Sequence, residues 1–242
     1  TQITDARQYV FERINAVELP EGIDRPQLGP IATGLGEIFH YVVRSDDPTR
    51  TLEELRTLHD WVIKPELRKV SGVAEVNAWG GHVKQYHIIL DPQALLKFDM
   101  TMDDVFDAIG RNNTNVGGGL ITRSGVSQMV HGIGRVTNIE QIENIVIDAY
   151  DGNPIHVHDI AQEVRIDHEI RRGAVTANGQ GEVVLGLAFM LMGENGKIVT
   201  ENLKGQLEQV KSALPDDVIV EVLYDRTELT SAVIQTVEHN LL

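Results

Sequence analysis

The chain has 242 residues, of which 42% are hydrophobic, and carries 36 acidic against 21 basic side chains for a formal charge of −15. That length holds one large domain or two or three small ones, and the acidic balance argues against a nucleic-acid partner, because phosphate binding needs a basic face. The absence of cysteine removes disulfides, thiolate metal cages and cysteine nucleophiles.

A first helix is expected from Asp5, as a cap, to Val17, with Ala6, Tyr9, Val10, Ile14 and Val17 at helical spacing. Leu19-Pro20-Glu21-Gly22 ends it. A strand follows over Gly36 to Val43. Thr51 opens a second helix through a capping box with Glu54, and Pro65 should kink or restart it. Val73 to Trp79 and Val83 to Leu90 read as two strands joined by Gly80-Gly81, a hairpin signal. Asp91-Pro92 starts a short helix, and Thr101 with Asp104 caps another carrying Met102, Val105, Phe106 and Ile109.

Composition changes at Gly117-Gly118-Gly119. Short strands and polar turns then run to Gly181, with one brief helix, Ile139 to Asn144, capped by Thr137. This segment reads as an inserted subdomain without a clear core stripe, so a hairpin within Ile147 to Ile160 is expected to pack on a neighbouring chain. Val183 to Met192 is a strand, Ile198 to Leu214 an amphipathic helix and Val218 to Leu223 a strand. A last helix starts near Thr227 and is still running at Leu242, as expected of a piece of a longer protein. The helix, Leu-Pro and extended-chain order of Ala6 to Leu28 is echoed by Leu203 to Leu223, which suggests a duplicated α/β unit. Strands and helices in split βαβ order define a ferredoxin-like α+β sandwich.

Signals for catalysis are weak. The three glycines lack the lysine and strand-to-helix setting of a phosphate loop, and no nucleophile elbow is present. No run of 18 apolar residues could span a membrane, and the polar opening Thr1 to Asp5 does not read as a signal peptide. His156-x-His158 sits in a strand-like run where alternation places both imidazoles on one face. Two ligands alone make an incomplete chelate, and solvated histidines are the simpler reading. Glu37, His40, Glu75, Asn77, Gln85 and His87 are polar positions set among apolar ones. They fit either the wet face of a half-covered sheet or a cleft lined with oxygen and imidazole donors suited to zinc, cobalt or nickel. Met190 and Met192 share a strand face, where methionine is an ordinary core filler.

The runs Gly29-Pro30-Ile31-Ala32-Thr33-Gly34-Leu35-Gly36-Glu37-Ile38, Gly72 to Val76 with Gly80 to Tyr86, Glu169 to Ala174 with Asn178 to Val184, and Tyr224-Asp225-Arg226-Thr227-Glu228-Leu229 resemble, in one order, the metal-exporting branch of the RND efflux pumps. The resemblance implies an α+β fold of ferredoxin-like split βαβ porter subdomains with an inserted mixed docking subdomain. On that reading residues 1–22 end a first porter subdomain and 23–116 form most of a second. Residues 117–181 are the docking insertion, whose extended hairpin reaches a neighbouring protomer, 182–226 complete the porter sheet, and 227–242 start the helix leading to the membrane. Pro65 and the histidine pair depart from the family's pattern.

The implied protein is the periplasmic portion of an inner-membrane, proton-driven transporter of the Gram-negative envelope, not an enzyme. Its implied partners are two further copies in a homotrimer, a periplasmic adaptor and an outer-membrane channel, with membrane attachment through the transmembrane half. The divalent metal is cargo; no tightly bound cofactor is expected. Glu37 corresponds by resemblance to a pocket-lining position, although alternation puts it on the face of Phe39, Tyr41 and Val43. It could instead sit at the strand's wet end, or pair with a surface lysine. Glu75 and His87 join it as candidate metal ligands, each on the less apolar face of its strand. Carboxylate and imidazole donors favour zinc, cobalt, nickel or cadmium over copper or silver. A free-standing periplasmic metal-binding or chaperone protein, and a ferredoxin-like enzyme, are the alternatives.

Overall fold

The computed structural model describes residues 3–20, 23, 25–123, 126–132, 134–171, 173–179 and 181–241. Glu21-Gly22 of the expected helix stop, and Arg172 and Gln180 of the quoted runs, lie outside the described residues. The chain divides into two compact units, residues 1–81 with 172–242, and residues 82–171.

Unit 1 is built on a four-stranded antiparallel sheet of β1 (Glu37–Ser45), β2 (Val73–Trp79), β9 (Val184–Met190) and β10 (Val218–Asp225), in the order β10-β1-β9-β2. Two helical arms join the strand pairs. The first is α2 (Leu52–Leu58), one π turn (His59–Ile63) and α3 (Lys64–Leu67); the second is α8 (Gly196–Lys211). The order is β-α-β-β-α-β, the ferredoxin-like split βαβ expected from the sequence. Leu55, Ile63 and Leu67 from one arm and Val199, Leu203, Leu207 and Val210 from the other bury against Phe39, Tyr41, Val43, Val76, Val184, Ala188 and Val220.

Local sequence chemistry sets the arm ends. Thr51 and Glu54 close the expected capping box, and Asn195, not Ile198, opens the α8 arm by accepting from Lys197 and Ile198 N–H. Pro65 acts one turn upstream of itself. It has no N–H for the Trp61 carbonyl, and the helix widens just before it, with Lys64 N–H bonding the His59 carbonyl. Arg50 holds Asp217 through both carboxylate oxygens at 2.9 and 2.8 Å, and Ser45 Oγ donates to the same group at 2.7 Å. This clamp ties the end of β1 to the start of β10 and holds the Asp217 carboxyl well below the usual carboxylate range.

Helix α1 (Ile3–Ala16) starts before Asp5, which lies in its first turn, and buries none of its residues. At the other end Asp225 Oδ1 accepts from Thr227 N–H at 2.7 Å and its hydroxyl at 2.6 Å, opening α9 (Arg226–Leu241). Asp225 is itself 4% exposed and paired with Lys204. No helix among the described residues is long and apolar enough to cross a membrane.

The hairpin expected at Gly80-Gly81 is absent. β2 pairs with β9 alone, and β3 (Lys84–Leu90) pairs with β8 (Ala161–His168) in the other unit. Both glycines have positive φ, but close packing explains them better than a two-residue turn. A Cβ on Gly80 would lie 2.6 Å from the Val183 carbonyl oxygen, and one on Gly81 would lie 2.8 Å from Val184 and 2.9 Å from Arg56.

Unit 2 takes in more of the chain than its composition suggests. Its core joins Val105 and Ala108 of α5 (Met102–Asn112) to Ile142, Ile145, Ile147, Ile155, Val157, Ile160 and Val164. Ile88, Leu90 and Leu95 pack around them. Residues 82–116 therefore share a core with the later segment, and the division falls at 81/82 and 171/172 instead of at the glycine-rich 117 and 181. A boundary lies where few contacts cross, and Gly117 to Gly119 is internal to β4 (Val116–Arg123), which pairs with β5 (Val126–Gly132).

Asp91 caps α4 (Pro92–Lys97), and Thr101 with Asp104 forms the expected box on α5. The cap of α6 (Ile139–Glu143) is Asn138; Thr137 instead gives its N–H to Gln141 Oε1 at 2.8 Å. Ile147 to Ile160 covers β6 (Val146–Tyr150), β7 (Asn153–His156) and α7 (Val157–Ile160). It supplies four buried side chains to the core, so it is no free arm, and its deletion would remove the unit's interior. The sequence pattern missed this because the stripe is split over three short elements.

Candidate functional site: the uncovered face of the four-stranded sheet

In unit 1 both helical arms lie on one face of the sheet, and the opposite face carries the polar positions. Phe189 of β9 stands opposite Glu37 of β1 on one side and Glu75 of β2 on the other. Directly opposed residues share a face, so the two carboxylates flank Phe189 at one level. Two strand spacings put their Cα atoms on the order of 10 Å apart.

Glu37 reaches this face through an irregularity that alternation does not foresee. The register shifts between Glu37 and Phe39, so Ile38 and Phe39 are both fully buried while Glu37 is released to the other side. Its partner is His40, with Oε1 2.6 Å from Nε2 and the two side chains 35% and 26% exposed. Among the described residues no lysine pairs with it. The His40 ring lies 4.9 Å from that of Tyr224. One strand step along, Leu187 separates His40 from Asn77. His40 is the site residue that sequence reasoning noted but did not select; its three-residue spacing from Glu37 becomes a same-face pair only across the bulge.

His87 belongs to unit 2. Its Nε2 lies 3.3 Å from Gln85 Oε1 and its Nδ1 3.8 Å from Asp167 Oδ2, and Asp167 is engaged by Arg165 at 3.0 Å. Backbone donation from His168 is the largest influence on the Asp167 carboxyl and, together with Arg165, keeps it below its ordinary value against the opposing effect of desolvation. The structure thus brings Glu37 and Glu75 to one face, adds His40, and gives His87 a separate setting. Met190 packs against the core and Met192 is half exposed, so no thioether pair stands on the polar face.

Beneath the arm-covered face lies a buried polar chain. Tyr41 Oη is 2.9 Å from His59 Nε2, His59 Nδ1 is 2.9 Å from Asp60 Oδ1, Arg56 donates to Asp60 Oδ2 at 2.7 Å, and Arg56 also donates to the Gly80 carbonyl at 2.8 Å. Burial pushes the Tyr41 hydroxyl far up and the His59 imidazole down. The π turn is where His59 enters the core. Every member is partnered, and the chain runs away from the open sheet face, as a network does that fixes the arm to the strand.

Unit 1 is thus a split βαβ sheet with a large insertion between its second and third strands and a carboxylate-bearing open face. The chain belongs to the AcrB/AcrD/AcrF family, whose profile matches residues 1–242. It is 45% identical over its whole length to Protein HelA of Legionella pneumophila and 40% identical to the cobalt-zinc-cadmium resistance protein CzcA of Cupriavidus metallidurans, and 36% identical over 98% of its length to the cation efflux system protein CusA of Escherichia coli K12. The crystal structure of a heavy metal efflux pump superposes on 99% of the chain with a TM-score of 0.80 at 30% identity, covering 24% of that pump. The resemblance to the heavy-metal branch holds. The chain spans about a quarter of the length of these relatives, 23% of each of the three curated ones.

Proposed function

We propose that the chain is the periplasmic part of a proton-driven pump that exports divalent heavy-metal cations, zinc, cobalt, nickel or cadmium before copper or silver. The observation that carries this reading is the open sheet face, where Glu37, His40 and Glu75 stand together on a metal-pump fold. Carboxylate and imidazole are donors for hard and borderline divalent ions, and a thioether relay would need methionines there instead. An open face whose donors do not close around an ion suits cargo that must leave again. On the same reading unit 1 is the porter module and unit 2 the docking module. The assembly is a homotrimer joined to a periplasmic adaptor and an outer-membrane channel, held in the inner membrane by transmembrane segments. Native mass measurement of the whole pump should give three copies; a monomer would count against the trimer.

The site reading is tested in cells carrying the whole pump. Glu37→Gln keeps the side-chain volume and removes the charge, so resistance to the exported metal should fall severalfold while protein level and assembly stay normal. Unchanged resistance, or resistance lost only because the protein disappears, would remove Glu37 from the transport path.

A further inference from the structure

The histidine pair of unit 2 is held differently from its expected place on one strand. β7 ends at His156 and α7 begins at Val157, so the pair spans a strand-to-helix corner. The two rings face each other with centroids 5.0 Å apart and planes 11° from parallel. Asp159 joins them, with Oδ2 3.6 Å from His156 Nδ1 and Oδ1 3.5 Å from His158 Nε2. One donor atom from each of the three residues lies within 4.8 Å of the others.

We propose that His156, His158 and Asp159 form a divalent-cation site of the imidazole and carboxylate class, suited to zinc, nickel or cobalt, independent of the face that carries Glu37. The spacing is the first support. Separations of 3.5 and 3.6 Å are long for nitrogen-to-oxygen hydrogen bonds. Bonds of about 2.0–2.1 Å in a tetrahedron set neighbouring donors about 3.3 Å apart; one donor atom from each residue lies within 4.8 Å of the others, and the nearly parallel rings have to turn about their side-chain torsions for both in-plane lone pairs to meet on one ion.

The second support is tautomeric. His158 Nδ1 lies 3.0 Å from the Glu143 carbonyl oxygen, which can only accept, so Nδ1 carries the proton. In the neutral ring Nε2 then presents its lone pair toward Asp159. A backbone carbonyl fixing one ring nitrogen while the other binds is the outer-shell arrangement found behind metal-ligating histidines.

The corner is also rigid. Val157 and Ile160 are fully buried on either side of His158 and Asp159. Val157 N–H bonds the Ile145 carbonyl at 3.0 Å, and His156 N–H bonds Asp159 Oδ2 at 2.8 Å. The side chains that could bind are thereby held on the outer side of a packed turn. Three protein donors leave a fourth position for water, so the ion is exchangeable and not locked in.

The 242-residue chain titrated calorimetrically with zinc chloride should show one saturable micromolar step. His156→Gln, His158→Gln and Asp159→Asn should each weaken it by at least about tenfold while far-UV circular dichroism stays unchanged. If a variant fails to fold, the parent chain still decides. Substoichiometric cobalt(II) should shift and broaden the imidazole proton resonances of His156 and His158 before those of the other histidines. The proposal is overturned if the parent shows no saturable step, if a folded His156→Gln/His158→Gln double variant binds zinc as the parent does, or if cobalt perturbs other histidines first. None of these results depends on whether the chain exports metal, and unchanged resistance in Glu37→Gln cells would leave them untouched.

Discussion

Gly186→Ala should destabilise unit 1 by about 2–4 kcal/mol, the sum of an overpacked core position and a broken buried hydrogen bond. Gly186 lies in the middle of β9, directly opposite Tyr41 of β1, and the added methyl carbon would occupy the place of the Tyr41 ring. That ring is fully buried, and its hydroxyl is fixed to His59. It can move aside only by giving up this bond and disturbing the core beneath the helical arms. The intrinsic preference of a strand for alanine over glycine, about 0.5–1 kcal/mol, recovers a small part. Thermal or urea unfolding measures the difference, and an unchanged midpoint would mean that the ring has room the packing does not show.

Acidification should weaken the same unit through His59. Burial is the largest influence on its imidazole and lowers its affinity for protons; Asp60 acts in the opposite direction and is outweighed. The unfolded chain then binds a proton near pH 6.5 while the folded chain still refuses it, so stability declines as pH falls below that value and stops declining only below the folded value. Asp60 continues the trend at lower pH. Partial burial is the largest single influence on its carboxyl and raises it, but His59 and Arg56 together outweigh burial and leave it depressed, so its contribution is lost as pH falls through its folded value. His59→Gln should flatten the dependence of unfolding free energy on pH between 7 and 5. A variant with the parent's slope there would place the acid sensitivity elsewhere.

What the sequence made legible was local. The boxes at Thr51 with Glu54 and Thr101 with Asp104, and the cap at Asp91, are decided within four residues and stand as read. The βαβ order also follows from periodicity, because each arm has to bury one stripe. Pairing is not local. Gly80-Gly81 carries the composition of a tight turn, yet β2 finds its partner more than a hundred residues later. The glycines serve that approach. Glu37 shows the same limit at the site: a two-residue period places it in the core, and one inserted residue places it on the open face beside His40. Asp159 could be joined to the histidine pair only once the chain turned from strand to helix at His156, since no fixed period relates all three residues.

The insertion leaves unit 1 after β2 and returns before β9, two antiparallel strands paired to each other with Trp79 opposite Leu185. The two strands that flank it therefore stand about one strand spacing apart, at a place where a plain hairpin turn would close the sheet. Topologically, residues 82–171 are a turn grown into a domain. Their length and content can change without altering any strand pairing of the parent sheet, and a chain with that segment replaced by a short turn keeps every helix and strand of unit 1 in order. Such an arrangement lets the open sheet face and the inserted module diverge under separate selection, each free to accumulate substitutions that the other need not accommodate.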